Sequence, residues 1–137
     1  GRAVANRAEG GKRPLSSMTP SLVFDDQGRL RMVIGSPGGT RIIGFVTQAI
    51  INVLDWGMNI QDAVAAPHLI AQDGAVELET DTPLAAQADA LRALGHRVAL
   101  RSLNSGLHGI TIEYAADGGT TLAGGVDPRR EGVALGD

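Results

Sequence analysis

The sequence predicts an α+β fold in which helices pack on an antiparallel or mixed β-sheet. The chain has 137 residues, about the length of one domain, and 43% of them are hydrophobic, as in ordinary folded proteins. β-rich runs and stretches with helical spacing of apolar residues follow one another along the chain. No internal repeat or linker divides it, so residues 1–137 are interpreted as a single domain.

Two strands and a long helix are predicted in the first half of the chain. The β-rich runs extend from Pro20 to Phe24 and from Arg29 to Ile34. Between them, the run Asp-Asp-Gln-Gly ending at Gly28 predicts a hairpin turn, because glycine supplies the positive φ that the turn needs. A helix is predicted from Gly39 to Trp56 by apolar residues at helical spacing: Ile42, Val46, Ala49, Ile50, Val53 and Leu54.

A short helix and one or two strands are predicted next. Asn59 is the expected N-cap of a helix that reaches Ala66, and Pro67 stops this helix because the residue before a proline avoids the helical conformation. Residues 68–79 predict one or two short strands around a turn at Asp73-Gly74.

A third helix and three strands are predicted after residue 80. The helix begins at Thr82 and is closed by Gly95, since glycine readily takes the left-handed conformation at a helix end. The strands are expected at Val98–Leu100, Gly109–Tyr114 and Thr120–Ala123. Residues 125–137 are interpreted as a Gly-rich polar tail, and residues 127–130 (Asp-Pro-Arg-Arg) are expected to dock it through salt bridges.

Composition and charge exclude several classes of site. The chain has no cysteine, so disulfides, thiol catalysis and cysteine-based zinc sites are excluded. Only 3% of the residues are aromatic, which argues against a base-stacking nucleic-acid surface, and no apolar run approaches the roughly 18 residues of a membrane helix. Residues 1–13 carry four basic side chains and one acidic side chain and are interpreted as an extended, solvated lead-in. Neither nucleic acid nor membrane is an expected partner.

The histidines and the acidic residues of the predicted strand region show no catalytic or metal-binding spacing. His68, His96 and His108 are scattered along the chain, so no metal site is expected and each is interpreted as a surface or loop histidine. Glu77, Glu79 and Asp81 alternate along one stretch, a pattern that is interpreted as a solvent-facing strand edge.

A glycine-rich segment lies between the second strand and the long helix. Ser36 is the expected N-cap and Pro37 the first helical residue, which leaves the N–H groups of Gly38 and Gly39 exposed at the positive end of the helix dipole. Such a turn can bind an anion or a developing oxyanion. Alternatively, it is a simple strand-to-helix turn that uses glycine for steric reasons. It is not a Walker A loop, because no Lys-Ser/Thr pair follows the glycines.

A second polar segment precedes the first strand. Ser16, Ser17 and Thr19 lie between two prolines, which restrict the chain to extended conformations. These hydroxyl groups can bind a substrate carboxylate, with Lys12 or Arg13 adding positive charge. Equally, they can serve only to satisfy backbone groups of the loop.

Together these segments resemble a known family. The runs KRPLSSMTPSLVF, IGSPGGTRII and VLDWGMNIQDAVAAPHL, with DPRREG near the end, closely resemble the C-terminal part of the small subunit of γ-glutamyltranspeptidases, in order and spacing, from Gly11 to Gly132. The resemblance implies the αββα sandwich of the N-terminal-nucleophile hydrolases, of which this chain contains only a part. It also implies a precursor that cleaves itself to expose a threonine nucleophile. That threonine attacks γ-glutamyl amides such as glutathione, and the acyl group passes to water or an acceptor amine.

The resemblance also assigns roles to individual residues. It implies that Ser16 and Ser17 bind the α-carboxylate of the glutamyl group, and that the N–H groups of Gly38 and Gly39 form the oxyanion hole. The family needs no cofactor, and it occurs in the periplasm, outside the cell or in the cytoplasm, so the compartment stays open.

The remaining half of the family's site is expected to lie elsewhere. The nucleophile, the acidic residue that binds the substrate amine and an arginine of the large subunit find no match here, since Thr19, Thr40 and Thr47 are not N-terminal residues. The chain is therefore expected to be inactive alone and to be a fragment or one component of a multi-chain assembly. Two alternatives stay open: a related acylase that cleaves glutaryl-type amides, and a non-catalytic homologue.

A partner is expected for structural reasons as well. Part of the family's sheet lies outside this chain, so the long helix with its apolar stripe is expected to leave an exposed apolar face. The remainder of the precursor, a large subunit or a second copy of the chain would cover it.

Overall fold

The computed structural model describes Val4, residues 7–13 and residues 16–136. The strands are β1 (Ser21–Phe24), β2 (Leu30–Gly35), β3 (Leu69–Gln72), β4 (Ala75–Glu79), β5 (Val98–Arg101), β6 (His108–Tyr114) and β7 (Thr120–Val126). The helices are α1 (Ile42–Leu54), α2 (Ile60–Ala65) and α3 (Ala88–Ala93), with 3₁₀ turns at Gly39–Arg41 and Pro83–Gln87 before α1 and α3. The α+β prediction is confirmed.

The strands form two sheets. β1, β2, β6 and β7 form an antiparallel sheet in the order β1-β2-β6-β7. The hairpin turn between β1 and β2 lies where the sequence predicts it, with Gly28 at a φ of 76° and the Asp25 carboxylate accepting hydrogen bonds from the N–H groups of Gln27 and Arg29 at 2.9 and 2.8 Å. β3, β4 and β5 form a second, mixed sheet in which β4 and β5 run parallel.

The long helix packs its apolar side on the first sheet, although it begins three residues later than predicted. α1 starts at Ile42, since Gly39–Arg41 forms a 3₁₀ turn, and it ends before Trp56, which is 71% exposed. Its inward side chains join Met32 and Ile34 of β2 in the core. The core residues from α1 are Ile42, Phe45, Val46 and Ala49.

The two shorter helices follow the predicted start and stop signals, with one difference. The Asn59 side chain accepts a hydrogen bond from the N–H of Asp62 at 2.8 Å and caps α2, as expected. Gly95, at a φ of 90°, ends the segment that contains α3. That segment starts as a 3₁₀ turn, and the Thr82 hydroxyl donates to the carbonyl of Glu79 at 2.8 Å instead of capping the first turn.

The exposed apolar face lies on the first sheet and not on the helix stripe where it was predicted. Ile42 and Val46 are buried within the chain, at 7% and 1% exposure. On the side of the sheet away from α1, Leu22, Val33 and Ile110 are neighbours in register and remain 59%, 37% and 45% exposed. We call this surface, with Leu122 of β7 next to it, the open sheet face. One side of the sheet thus carries helices and the other lacks a cover within the described residues.

The C-terminal segment is more ordered than a tail. β7 continues through Val126, three residues past its expected end, so Gly125 and Val126 belong to the sheet and not to the tail. Asp127 is fully buried, and the predicted salt-bridge docking of residues 127–130 is confirmed. Residues 131–136 are exposed and form neither helix nor strand. No helix within the described residues is long and apolar enough to cross a membrane.

Candidate functional site

One end of the first sheet gathers the two polar segments singled out in the sequence. β1 begins where β2 ends, since Ser21 pairs with Ile34, and Gly35 at the end of β2 pairs with His108 at the start of β6. His108 in turn pairs with Val126 at the end of β7. Residues 16–20, 36–39, 102–107 and 127–130 therefore leave the sheet at the same end.

The glycine pair forms a turn with free donors. Gly38 has a φ of 144° and Gly39 a φ of 62°, conformations that side-chain-bearing residues rarely adopt. Within residues 16–136 no acceptor faces the N–H of either glycine. The carbonyl of Gly38 accepts from the N–H of Arg41 at 3.4 Å, which closes the 3₁₀ turn before α1. The turn thus presents two consecutive N–H groups that have no acceptor among residues 16–136, at the start of the 3₁₀ turn that leads into α1.

The two glycines differ in what surrounds them. A Cβ on Gly38 would lie 2.8 Å from Cε2 of Phe45, so this position must be glycine for core packing as well as for its φ. A Cβ on Gly39 would meet no described atom within 4 Å. The open space beside the turn is therefore at Gly39.

The expected roles of Ser36 and Pro37 at the helix start are wrong. The 3₁₀ turn begins at Gly39 with Gly38 as its N-cap residue, so both lie before the helical segment. The Ser36 hydroxyl donates to the carbonyl of Pro37 at 2.7 Å and accepts from the N–H of Gly106 at 3.2 Å. Ser36 therefore joins the glycine turn to the segment before β6.

The serine pair forms local turns ahead of β1. Ser16 is exposed and its hydroxyl oxygen accepts from the N–H of Met18 at 3.3 Å, while the Thr19 hydroxyl donates to the carbonyl of Ser17 at 2.9 Å. Lys12 pairs with Glu9 at 3.3 Å, and Arg13 is exposed. Pro14 and Leu15, which belong to the same motif, lie outside the described residues.

A buried hydrogen-bond chain that the sequence did not reveal lies behind this end of the sheet. His68 Nε2 is 2.7 Å from Ser105 Oγ, and the Ser105 hydroxyl donates to Oδ2 of Asp127. Because that hydroxyl has a single proton, His68 contributes the proton of the first bond, as the Nε2–H tautomer. Asp127 Oδ2 also accepts from the N–H of Leu107 at 3.0 Å. The side chains of His68, Ser105 and Asp127 are all buried, at 0–1% exposure.

Arg129 is a buried cation that joins these hydrogen-bonded side chains. Its guanidinium donates to both carboxylate oxygens of Glu79, at 2.5 and 2.7 Å, and to Asp127 Oδ1 at 3.1 Å. It also donates to the carbonyl of Ala66, just after α2, at 3.0 Å. Burial alone would raise the pKa of Asp127 and Glu79, but the bonds from Ser105, His68 N–H and Arg129 outweigh it and lower both pKa values. We call His68, Glu79, Ser105, Asp127 and Arg129 the buried network.

Two sequence interpretations are corrected by the buried network. His68 does not lie on the surface, since only 1% of it is exposed. His96 and His108 are exposed, as expected. Glu79 does not face solvent, since it is buried and pairs with Arg129. Glu77, half-buried, pairs with Arg41 at 2.5 Å.

The described residues contain no cluster of three or more histidine or acidic side chains that could coordinate a metal ion. This end of the sheet carries backbone N–H donors, hydroxyl groups and one buried histidine.

The chain is similar along its whole length to one family of enzymes. The family model described as Gamma-glutamyltranspeptidase matches residues 1–137. A glutathione hydrolase proenzyme from Pseudomonas aeruginosa is 36% identical over 135 residues, which is 96% of this chain and 23% of that protein. An acylase ACY 1 proenzyme from Pseudomonas sp. (strain SE83) is 39% identical over 127 residues, 91% of this chain and 22% of that protein. The chain spans about a fifth of the length of these relatives.

Solved structures share the fold. A crystal structure of a mutant γ-glutamyltranspeptidase from Helicobacter pylori aligns with a TM-score of 0.81 at 35% identity, over 94% of this chain and 69% of that one. A cephalosporin acylase from Bacillus halodurans aligns with a TM-score of 0.63 at 26% identity, over 74% of this chain and 19% of that one.

The buried histidine makes stability depend on pH. Burial, and then the charge of Arg129, lower the pKa of His68 to about 4, whereas the unfolded chain keeps a histidine pKa near 6.5. The stabilisation is complete above pH 6.5 and is lost as pH falls towards 4, because the unfolded state then binds a proton that the folded state excludes. We expect a loss on the order of 3 kcal/mol over this range, measured by urea unfolding of the full-length protein at several pH values.

His68→Gln, which does not titrate, should flatten this part of the pH dependence, and His96→Gln, at an exposed position, should leave it as in the wild type. Equal slopes in the wild type and His68→Gln between pH 6.5 and 4 would contradict the assignment of a buried neutral histidine.

Proposed function

Because the chain belongs to the γ-glutamyltranspeptidase family, we propose that it is the C-terminal portion of a γ-glutamyl transferase or hydrolase. In this proposal the chain supplies the oxyanion hole and the substrate α-carboxylate site for cleavage of γ-glutamyl amides such as glutathione. The observation that carries the proposal is the pair of unpaired N–H groups on Gly38 and Gly39, at the end of the sheet where the serine pair also lies.

The oxyanion hole is proposed at the glycine turn. Two consecutive N–H groups at the start of the 3₁₀ turn that leads into α1 favour negative charge, through hydrogen bonding and through the helix dipole. The open space at Gly39 gives the carbonyl oxygen of a substrate access to these donors. As the tetrahedral intermediate forms, that oxygen gains charge and its hydrogen bonds strengthen, so the turn lowers the barrier more than it tightens ground-state binding.

The α-carboxylate site is proposed at Ser16 and Ser17. Their position in the family motif supports this role, and hydroxyl groups can each donate one hydrogen bond to a carboxylate oxygen. A carboxylate bound there, on a segment that leaves the sheet beside the glycine turn, would orient the γ-carbonyl towards the proposed oxyanion hole.

The nucleophile belongs to another part of the proposed enzyme. A threonine with a free amine, supplied by the remainder of the precursor, attacks the γ-carbonyl while its own amine takes up the hydroxyl proton. The C–N bond then breaks, the amine leaves with a proton, and water or an acceptor amine later takes the acyl group. Residues 1–137 bind and stabilise in this scheme and do not form the covalent bond.

The partner is proposed to cover the open sheet face. The apolar side chains of Leu22, Val33, Ile110 and Leu122 form a surface that a folded protein normally buries. The remainder of the precursor or a large subunit fits this need, because this chain matches only 22–23% of the length of the relatives. A second copy of the chain is the alternative occupant.

An acylase of glutaryl-type amides is the second candidate, because the acylase ACY 1 proenzyme is as similar to this chain as the glutathione hydrolase is. The two functions differ in the α-amino group of the substrate. Side-by-side hydrolysis of γ-glutamyl and glutaryl p-nitroanilides by the full-length protein separates them, and turnover of neither favours the non-catalytic homologue.

The proposed oxyanion hole can be tested with variants matched for backbone strain. Valine rarely adopts the φ of 62° found at Gly39, so Gly39→Val in the full-length protein should turn this N–H away from the oxyanion. It should lower kcat by ~10²–10³-fold, the typical effect of losing one oxyanion donor. Gly57→Val is the control: Gly57 has a φ of 67°, close to the 62° of Gly39, and likewise has no described atom within 4 Å of an added Cβ. Steady-state kinetics with γ-glutamyl p-nitroanilide provide the measurement. Similar kcat values for the two valine variants would refute the assignment.

The proposed carboxylate site predicts a different kinetic change. The substrate carboxylate is bound before and during reaction, so Ser16→Ala should act mainly on KM, by roughly 1.5–3 kcal/mol for a hydrogen bond to a charged group. Thr121→Ala, at an exposed position on β7, serves as the control. If Ser16→Ala lowers kcat and leaves KM unchanged, Ser16 does not have the proposed role.

The open sheet face predicts a position-dependent effect of charge. Ile110→Lys in the full-length protein should lower the unfolding temperature by several degrees, because a covered face would bury the ammonium group without a partner. Leu94→Lys is the control, since Leu94 is an apolar residue of α3's C-terminus that is 75% exposed and lies away from the sheet face. If Ile110→Lys and Leu94→Lys change the unfolding temperature equally, nothing covers the open sheet face.

A further inference from the structure

The turn that carries Gly38 and Gly39 rests on two supports. The first is the Phe45 ring, whose Cε2 lies 2.8 Å from the position of a Cβ on Gly38. The second is Gly106, whose N–H donates to the Ser36 hydroxyl at 3.2 Å. Gly106 also packs against Pro37 so closely that an added Cβ would lie 2.7 Å from its Cγ. The two supports come from different parts of the chain and touch opposite ends of the 36–39 segment.

One side chain contacts the first support and the residue next to the second. The His68 ring packs on the Phe45 ring with centroids 4.5 Å apart. Its Nε2 lies 2.7 Å from the hydroxyl of Ser105, the residue directly before Gly106. His68 is 1% exposed and reaches neither glycine itself. It therefore acts on the turn only through its neighbours.

The surroundings of His68 leave its ring little freedom. The backbone N–H of His68 donates to the Glu79 carboxylate at 2.9 Å. Gln48, whose side chain donates to the carbonyl of Pro67 at 2.7 Å and accepts from the N–H of Leu69 at 3.2 Å, packs beside Nδ1 at 3.4 Å. Ring rotation would break the bond to Ser105 and leave a buried hydroxyl acceptor unpaired.

The Ser105–Gly106 segment is fixed from its other side too. Arg130 donates to the carbonyl of Ser105 at 2.8 Å and to that of Asn104 at 3.1 Å. Asp127 accepts from the Ser105 hydroxyl and from the N–H of Leu107. His68 and Asp127 together fix the Ser105 hydroxyl, since His68 donates to it and Asp127 accepts from it.

We propose that His68 is a positioning residue for the Gly38–Gly39 donor pair, acting through Phe45 on one side and through Ser105 and Gly106 on the other. The inference rests on the proposed function of that pair and extends it to a residue that touches no reacting atom. A donor pair displaced by a fraction of an ångström loses alignment with the oxyanion, which matters most in the transition state. Loss of the His68 side chain should therefore lower kcat and leave substrate binding largely unchanged.

Burst kinetics of the full-length protein with γ-glutamyl p-nitroanilide test this role, because the burst amplitude counts competent sites separately from the rate at each site. His68→Leu removes both the donor and the aromatic ring and should lower the rate constant per competent site about tenfold or more. His68→Gln keeps an N–H donor in reach of Ser105 and should recover part of that loss. His96→Leu, at an exposed histidine, should match the wild type.

The outcomes separate this inference from the proposed function. If the burst amplitude falls and the rate per site is unchanged, His68 is only structural and the inference is overturned. Should His68→Leu fail to give folded protein, Phe45→Leu decides: it removes the ring contact but keeps the bond between His68 and Ser105. It should therefore show part of the same per-site loss, while a normal per-site rate overturns the inference. A wild-type protein without turnover overturns the proposed function, and this inference with it.

Discussion

The ion pairs of Arg129 are the interaction on which the rest of the structure depends. Its guanidinium lies between Glu79, at the end of β4, and Asp127, directly after β7, so it links the two sheets. It also satisfies the carbonyl of Ala66, after the last turn of α2, and so fixes that helix end. Removing one member of such a buried set typically costs 3–5 kcal/mol, because the remaining charge loses its partner in a poorly solvated place.

The candidate site follows from this link. Asp127, fixed by Arg129, fixes Ser105 and Leu107, and the N–H of the intervening Gly106 reaches Ser36 ahead of the glycine turn. The donors of the turn are therefore supported by a chain of hydrogen bonds that begins at a buried charge. Such a support suits a group that must keep its geometry as charge develops on the substrate, since it needs no rearrangement during the reaction.

Local features could be predicted from the sequence and long-range ones could not. The hairpin at Gly28, the cap at Asn59 and the helix end at Gly95 each depend on residues within about four positions, where turn and capping chemistry decides the conformation. The glycine turn belongs to this group. By contrast, Glu79 meets Arg129 50 positions later and His68 meets Ser105 37 positions later, so nothing in their neighbourhoods distinguishes them from exposed residues. Ser36 was misassigned as a cap because its partner, Gly106, is 70 positions away.

The central claim is that the N–H groups of Gly38 and Gly39 bind the oxyanion, and a structure of the full-length protein with a bound boronic acid analogue of the γ-glutamyl group tests it most directly. The boronate becomes tetrahedral on reaction with the nucleophile and so resembles the intermediate. One boronate oxygen is expected at ~2.7–3.1 Å from the nitrogens of Gly38 and Gly39. A boronate whose oxygens all bind elsewhere, with the glycine turn facing away from it, would contradict the account.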